Sequence, residues 1–268
     1  MLICTLGDLL LDVIVRLDGP IATDTDTYGA TRVGAGGQAA NVGAWVAELG
    51  GEARFVGKRA NDLSGRLVAE ELRGRAVDIR GPEVEGSTGT VVSLATPDGK
   101  RTMLSDRGVA PTLSADELDA AWFAGADWLH LPGYSLVRGP IAEAAVAAAR
   151  QVEHVSVDVS STAAVQEIGV DGFREILRRV RPDVLFANEE EAALVGATGA
   201  ETVVVKRGAR GFVVRRHGLG EGAFAAQDAD VVDTTGAGDA LAAGFLLGGP
   251  ELAAEAAARC VGKLGAMP

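Results

Sequence analysis

Short apolar runs rich in Val, Leu and Phe alternate along the chain with longer stretches in which Ala and Leu recur every three or four positions among charged residues. The first pattern is that of a buried strand, the second that of an amphipathic helix. Read this way, 2–6 is a strand, 37–49 a helix closed by Gly50 and Gly51, 53–56 a strand and 63–73 a helix. Segments 88–95 and 101–104 flank Pro97-Asp98-Gly99, a hairpin turn signal. Ser114 and Glu117 have capping-box spacing and are expected to open the next helix. The alternation then becomes regular, with strands at 127–131, 155–159, 184–187 and 202–206 and helices at 140–150, 172–180 and 189–194. Segment 212–216 returns as a hairpin after Lys206-Arg207-Gly208-Ala209-Arg210-Gly211. Val231 and Val232 favour a strand, and 240–247 and 251–264 favour helices. This order predicts an α/β fold with a mostly parallel central sheet covered by helices on both faces.

Two segments, near 12–35 and 86–107, break the alternation. They are rich in Thr, Val, Gly and charge and lack a helical period. They read as antiparallel strands outside the main sheet, either a small sheet over a site or ordinary edge strands and loops.

Composition narrows the partners. A length of 268 residues suits one large α/β domain, and 47% hydrophobic residues supply a sizeable core. A formal net charge of −12 opposes binding to nucleic acid or to an anionic membrane. Aromatic residues, at 4%, leave few stacking platforms for single strands. No apolar run reaches membrane-spanning length. The apolar N-terminus lacks a basic region and is interrupted by Asp8 and Asp12, so it reads as a first buried strand and not as a secretion signal. Cys4 and Cys260 lack metal-type spacing and read as small buried apolar residues, consistent with a reducing cytoplasm. A phosphate ligand on so acidic a chain must find much of its positive potential in backbone N–H groups and metal ions.

Three segments carry candidate chemistry. In Gly34-Ala35-Gly36-Gly37-Gln38-Ala39-Ala40-Asn41 a helix begins at glycines that let a small polar ligand approach, and Asn41 offers both a donor and an acceptor. The same residues also serve as a plain helix entry. Asn188-Glu189-Glu190-Glu191 follows an apolar strand, at the end where open α/β sheets bind ligands. Asn188 is equally an N-cap. Asn188 and Glu191, three apart, share a helix face and suit hydrated Mg²⁺. The third segment is Asp233-Thr234-Thr235-Gly236-Ala237-Gly238-Asp239. Its glycines allow a tight turn into a helix whose first N–H groups attract anions. Asp239 adds a carboxylate to that same turn. An anion hole beside a carboxylate suits a reaction in which a proton leaves while negative charge develops on the incoming group.

Other motifs are missing. No Gly-Lys pair is followed by Ser or Thr, which excludes a P-loop. No protein-kinase catalytic loop occurs, and the stretch after Gly133 lacks the second glycine of a nucleophile elbow. His130, His154 and His217 are scattered and read as strand-end histidines, not as a triad or zinc site.

In order, Gly36-Gly37-Gln38-Ala39-Ala40-Asn41, Asn188-x-x-Glu191 and Asp233 to Asp239 resemble the N-terminal signature, the N-x-x-E motif and the C-terminal signature D-T-x-G-A-G-D of the ribokinase, or PfkB-type, carbohydrate kinases. The resemblance spans essentially the whole chain. It implies one ribokinase-like domain over 1–268, a three-layer α/β/α fold with a small β-sheet lid formed by the segments near 12–35 and 86–107. In the family such a lid often makes a homodimer interface. The implied activity is ATP-dependent phosphoryl transfer to a hydroxyl of a sugar or sugar derivative, with Mg²⁺ and, in many members, K⁺. Carried over residue by residue, Asp239 is the base and the N–H groups of Gly236, Ala237 and Gly238 are the anion hole. Asn188 and Glu191 order the Mg²⁺ water shell, and Lys206, Gly208 and Gly211 lie along the nucleotide. Asp12, Gly36, Gly37 and Asn41 face the acceptor. Asp233 and Thr235, with Gly265, match a monovalent-cation site.

There are departures from the family pattern. Gln38 stands where ribokinases proper have Lys, and Ala39 where they have Gly, which weakens ribose as the acceptor. Arg107 either reaches an anionic or keto group of the acceptor or pairs locally with Asp106. The stretch 132–135 is a candidate pocket wall. A nucleoside kinase is the alternative, disfavoured by the scarcity of aromatic rings. A non-catalytic sugar-binding relative is opposed by the intact Asp239 and its glycines. A dinucleotide-dependent oxidoreductase would need a glycine fingerprint after the first strand, which Gly7-Asp8 is not.

Overall fold

The computed structural model describes residues 1–96 and 101–268. It opens with β1 (Leu2–Leu6), whose neighbours Ile3 and Cys4 point to opposite faces of a sheet and are both fully buried. The chain continues through β2 (Leu10–Leu17), β3 (Gly29–Gly36), α1 (Gln38–Glu48), β4 (Glu52–Val56), β5 (Arg59–Ala60) and α2 (Leu63–Gly74). Next come β6 (Val77–Arg80), β7 (Glu83–Val84), β8 (Thr88–Ala95) and β9 (Arg101–Gly108). The second half runs β10 (Trp128–Pro132), α3 (Tyr134–Val137), α4 (Ile141–Ala148), β11 (His154–Asp158), α5 (Thr162–Ile168) and α6 (Val170–Val180). It ends with β12 (Val184–Asn188), α7 (Glu189–Val195), β13 (Thr202–Lys206), β14 (Phe212–Arg216), β15 (Gly220–Phe224), α8 (Ala237–Gly248) and α9 (Pro250–Val261).

Among the described residues, nine strands form one sheet in the order β15-β14-β13-β12-β11-β10-β1-β4-β6. From β13 to β6 every neighbour is parallel, while β14 and β15 fold back antiparallel. Strands buried on both faces need apolar side chains at every position, which is why they read as continuous Val/Leu runs. One face packs Ile3, Phe55 and Phe186 against Trp45 of α1, Leu72 of α2, Leu241 of α8 and Ala253 of α9. The other packs Leu6, Leu131 and Leu185 against Ile141 of α4, Val165 of α5 and Phe173 of α6. The result is a three-layer α/β/α arrangement. Among the described residues, no helix is long and apolar enough to cross a membrane.

The two segments that break the alternation form a second sheet, ordered β3-β2-β8-β9. Its hairpins β2–β3 and β8–β9 are antiparallel, but β2 and β8 run parallel, so the sheet is mixed where an antiparallel one was expected. The Pro97–Gly99 turn lies outside the described residues.

Three other expectations fail for local reasons. The Ser114–Glu117 capping box forms, yet only a 3-10 turn follows. Leu118 is extended, and Asp119 caps a new turn through the N–H of Ala121. Val231 and Val232 are exposed and form no strand. The N–H groups of Val232 and Asp233 both donate to Val261 O at the end of α9, at 2.8 and 3.2 Å, so this loop is tied to a helix end and not to a sheet. His130 is buried in mid-strand, not at a strand end; burial pushes its pKa down to about 4, and Nδ1 lies 2.9 Å from Ser156 Oγ.

Candidate active site

The carboxyl ends of β11, β12 and β13 place Asp158, Asn188 and Lys206 side by side, opposite the start of α8. The turn into α8 is built on Gly236, whose φ of 80° and ψ of −2° put it in the left-handed region. A Cβ there would lie 2.5 Å from Ala266 Cα, so only glycine fits. The first turn of a helix leaves its N–H groups without intrahelical acceptors. Here the N–H of Ala237 makes only a long contact to Thr234 O, at 3.4 Å. Asp239 sits in that turn and is buried.

Burial pushes the Asp239 carboxyl up to about 7; the Asn41 hydrogen bond opposes this, the Asp158 charge adds to it, and Lys206 and Gln38 oppose it. Nδ2 of Asn41 donates to Asp239 Oδ2 at 2.8 Å, which joins the N-terminal and C-terminal motifs across 198 residues. Oδ1 of Asn41 is buried and has no partner among the described residues. Asn41 therefore serves the carboxylate with one end and presents its acceptor with the other. Gln38, the second residue of the helix entry that touches Asp239, accepts at Oε1 from Ser160 Oγ at 2.5 Å.

Asn188 and Glu191 form a reciprocal capping box. Asn188 Oδ1 accepts from the N–H of Glu191, and Glu191 Oε2 accepts from the N–H of Asn188, each at 2.8 Å. The N-cap role and a ligand-facing role are thus not alternatives, because the box fixes both side chains at the cavity wall. Burial raises the Glu191 carboxyl, against the Asn188 N–H and the charge of Lys206. Lys206 Nζ donates to Asp158 Oδ2 at 2.6 Å. Burial disfavours this ammonium, yet the charge and hydrogen bond of Asp158 carry its pKa upward.

Two cavities meet here. One, of about 550 Å³, runs between Gly208, Gly211, Phe212 and Gln227 on one side and α8 and α9 on the other, floored by Ala254, Ala257 and Ala258. The second, of about 370 Å³, is polar and lined by Gln38, Tyr134, Asp158, Ser160, Asn188, Glu191, Lys206 and Asp239. Asn188 and Glu191 at its wall suit a hard cation that keeps most of its water, so this pair fits hydrated Mg²⁺. Among the described residues there is no cluster of three or more His, Cys, Asp or Glu that would hold a metal by itself.

The remaining expected residues are placed as follows. Asp12 on β2 lies against Gly36, where an added Cβ would be 2.1 Å from its carboxyl carbon. Burial, with the Glu71 charge, pushes its pKa up to about 6. Gly37 has φ 97° and passes so close to Asp8 O that a Cβ would stand 2.3 Å away. The Asp233 carboxylate gathers its own loop: Oδ1 accepts from the Thr235 N–H and hydroxyl at 2.9 and 2.7 Å, and Oδ2 accepts from the Gly265 N–H at 3.0 Å. The Cys260 thiol points at Thr235 O, 3.4 Å away. Arg107 corrects the sequence reading. It does not pair with Asp106, whose carboxylate takes the N–H of Gly108. Its guanidinium grips Asp8 with two hydrogen bonds, at 2.5 and 2.9 Å, both partners largely buried. Sequence reasoning missed Asp158 and Ser160. The only signal for them was a carboxylate ending the strand Val155-Ser156-Val157-Asp158.

The family model described as pfkB family carbohydrate kinase matches residues 1–266. The chain is 32% identical over 252 residues to the ATP-dependent ribose-1-phosphate kinase of Halopiger xanaduensis, an alignment covering 90% of this chain and 82% of that protein. It is 29% identical over 264 residues to a fructokinase of Escherichia coli, covering 91% and 82%. The crystal structure of adenosine kinase from Sinorhizobium meliloti superposes with a TM-score of 0.86 at 26% identity, covering 99% of this chain and 95% of that one.

Proposed function

The chain belongs to the pfkB family of carbohydrate kinases, and from that premise we propose that it transfers the γ-phosphoryl group of ATP to a hydroxyl of a sugar or sugar derivative, with Asp239 as the base. The observation that carries the reading is the buried Asp239 carboxylate in the first turn of α8, beside a left-handed Gly236 and with a pKa raised to about 7. A base poised near neutral pH is half ionised where it works and takes a hydroxyl proton readily.

As the acceptor oxygen attacks, Asp239 takes its proton and ADP leaves in line. The N–H groups of Gly236, Ala237 and Gly238 face the charge that develops on the transferred group. Lys206, Gly208 and Gly211 flank the larger cavity, which accommodates the nucleotide. Asn188 and Glu191 would hold Mg²⁺ through water, and the ion would neutralise phosphate charge. The unpartnered Oδ1 of Asn41 suits an acceptor hydroxyl as donor, and Asp12 and the Gly36–Gly37 entry supply the rest of that side. Arg107 is already neutralised by Asp8, which favours a neutral acceptor over an anionic one. The β3-β2-β8-β9 sheet is the lid of this site, and its face opposite Asp12, with Val33 and Leu104 exposed, suits a homodimer contact. The Asp233–Thr235–Gly265 loop is the place where K⁺ would brace the approach to Gly236.

The 26% identity to an adenosine kinase favours one second reading, a nucleoside acceptor. One experiment separates the readings: ADP release with MgATP over a panel of sugars, keto-sugar acids and nucleosides, in K⁺ and in a bulky organic cation. A sugar-dependent rate above the acceptor-free background is expected, faster in K⁺. A rate with nucleosides alone selects the second reading, and no acceptor-dependent rate at all overturns both.

A further inference from the structure

The two cavities share only two wall residues, Lys206 and Gly238. Their junction is where a nucleotide filling the larger cavity would present its terminal phosphate to the smaller. Lys206 is the one Lys or Arg among the residues lining either cavity, and a Cβ on Gly238 would stand 3.2 Å from its Nζ. The ammonium therefore lies over the helix start that forms the anion hole. Three buried carboxylates act on it: Asp158 most strongly, then Glu191 and Asp239. Asp158, fully buried at the end of β11, holds it at 2.6 Å through Oδ2. Asp239 follows Gly238 in the chain and feels the same charge. A Lys206–Asp239 ion pair would make the carboxylate a weak base and consume the cation at once.

We propose, on the kinase reading above, that Asp158 is a positioning residue: it holds Lys206 at the junction of the two cavities and off Asp239, so that the base and the cation facing the transferred phosphoryl group act separately. The hold on Asp158 is itself fixed from outside. Its Oδ1 accepts from the N–H of Ser160 at 2.8 Å, and Ser160 adopts a φ of 71°, unusual for a residue with a side chain. Ser160 Oγ in turn binds Gln38, which touches Asp239, so one short chain of bonds ties the spacing of cation and base together. The charged and titratable groups facing Asp239 are Asp158 from β11, Lys206 from β13, Tyr134 from α3 and Cys260 from α9, with Glu191 across the cavity.

The test compares Asp158→Asn, Lys206→Met and the double variant with the wild type. Three quantities are read: the titration of the Asp239 carboxyl by carbon-13 NMR, the pH profile of kcat/KM, and Tm. In Asp158→Asn a like charge is lost and Lys206 turns to Asp239, so the titration and the acid limb of the profile should move down by ~1 pH unit or more. In Lys206→Met both should move up. Each single variant should lose ~10²-fold or more in kcat. The double variant replaces a buried pair by neutral groups; it should fold, titrate near the wild type and remain slow. Opposite shifts in the two single variants support the proposal. An unmoved Asp239 titration with a lowered Tm makes Asp158 a structural partner only and overturns it. Should Asp158→Asn not fold, the upward shift in Lys206→Met still decides. The carboxyl titration needs no turnover, so a wild type that releases no ADP with any acceptor sinks the kinase reading while the Asp158 result is read independently.

Discussion

Asp239 is buried as a carboxylate, and burial is unfavourable to it. Its pKa is about 7 in the folded chain against ~3.9 in the unfolded one. Between those values the folded state binds a proton that the unfolded state has released, so stability falls as pH rises through the window and the full penalty is present above about 7. Asp239→Asn should therefore raise Tm of the free protein at pH 8, by roughly 2 °C or more, with the gain vanishing near pH ~4. A Tm at pH 8 equal to or below that of the wild type contradicts the burial argument. The same ionisation governs rate: wild-type kcat/KM should fall about tenfold per unit below pH ~7. In the proposed site Asp12 is the acceptor-side counterpart. Asp12→Ala should raise the acceptor KM or lower kcat/KM by ~10²–10³-fold, because the sugar hydroxyl it served is left unpaired. The KM for ATP should stay within about twofold, since nothing on the nucleotide side is touched. A larger change for ATP than for the acceptor would show the two substrates placed at the wrong ends.

Elements are joined by pairs that lie far apart in the chain. Arg107, at the end of β9, reaches back 99 residues to Asp8 beyond β1 and fastens the small sheet to the large one. Breaking a buried ion pair leaves a charge uncompensated, so Arg107→Ala should destabilise the fold by ~3–5 kcal/mol. On the proposed reading of the small sheet as a lid, the acceptor KM should rise for neutral and anionic acceptors alike, because a clasp between the two sheets is lost and not a substrate contact. A selective loss of anionic acceptors at unchanged Tm would instead make Arg107 a substrate ligand. These pairs also show why part of the site was not legible in the sequence. The turn into α8 was, because Gly236, Ala237, Gly238 and Asp239 are consecutive and their conformations are dictated locally. The Asn188–Glu191 capping box was legible for the same reason. Asp158 was not: its partner Lys206 is 48 residues on, and only the sheet order β11-β12-β13 makes them neighbours. Val231 and Val232 were misread because β-branched propensity yields to tertiary bonding at the end of α9.

At the scale of the molecule, the alternation of runs was enough for a parallel sheet with helices on both faces, because strands covered on both sides leave no polar periodicity to mistake. The smaller sheet was legible only as a break in that pattern, and its parallel β2–β8 pairing was not, since register between distant strands leaves no local trace. With an overall charge of −12, the proposed phosphate recognition rests on one helix start and on Lys206, the one Lys or Arg lining either cavity. The proposed function requires that this junction transfer a phosphoryl group with Asp239 as the base. The most direct measurement is acceptor-dependent ADP release by wild type and Asp239→Asn side by side, at pH 8, with MgATP binding followed in both by calorimetry. The variant should bind MgATP with nearly wild-type affinity and lose ~10²–10⁴-fold in kcat. Turnover within threefold of the wild type would contradict the assignment of the base, and with it the mechanism proposed for this chain.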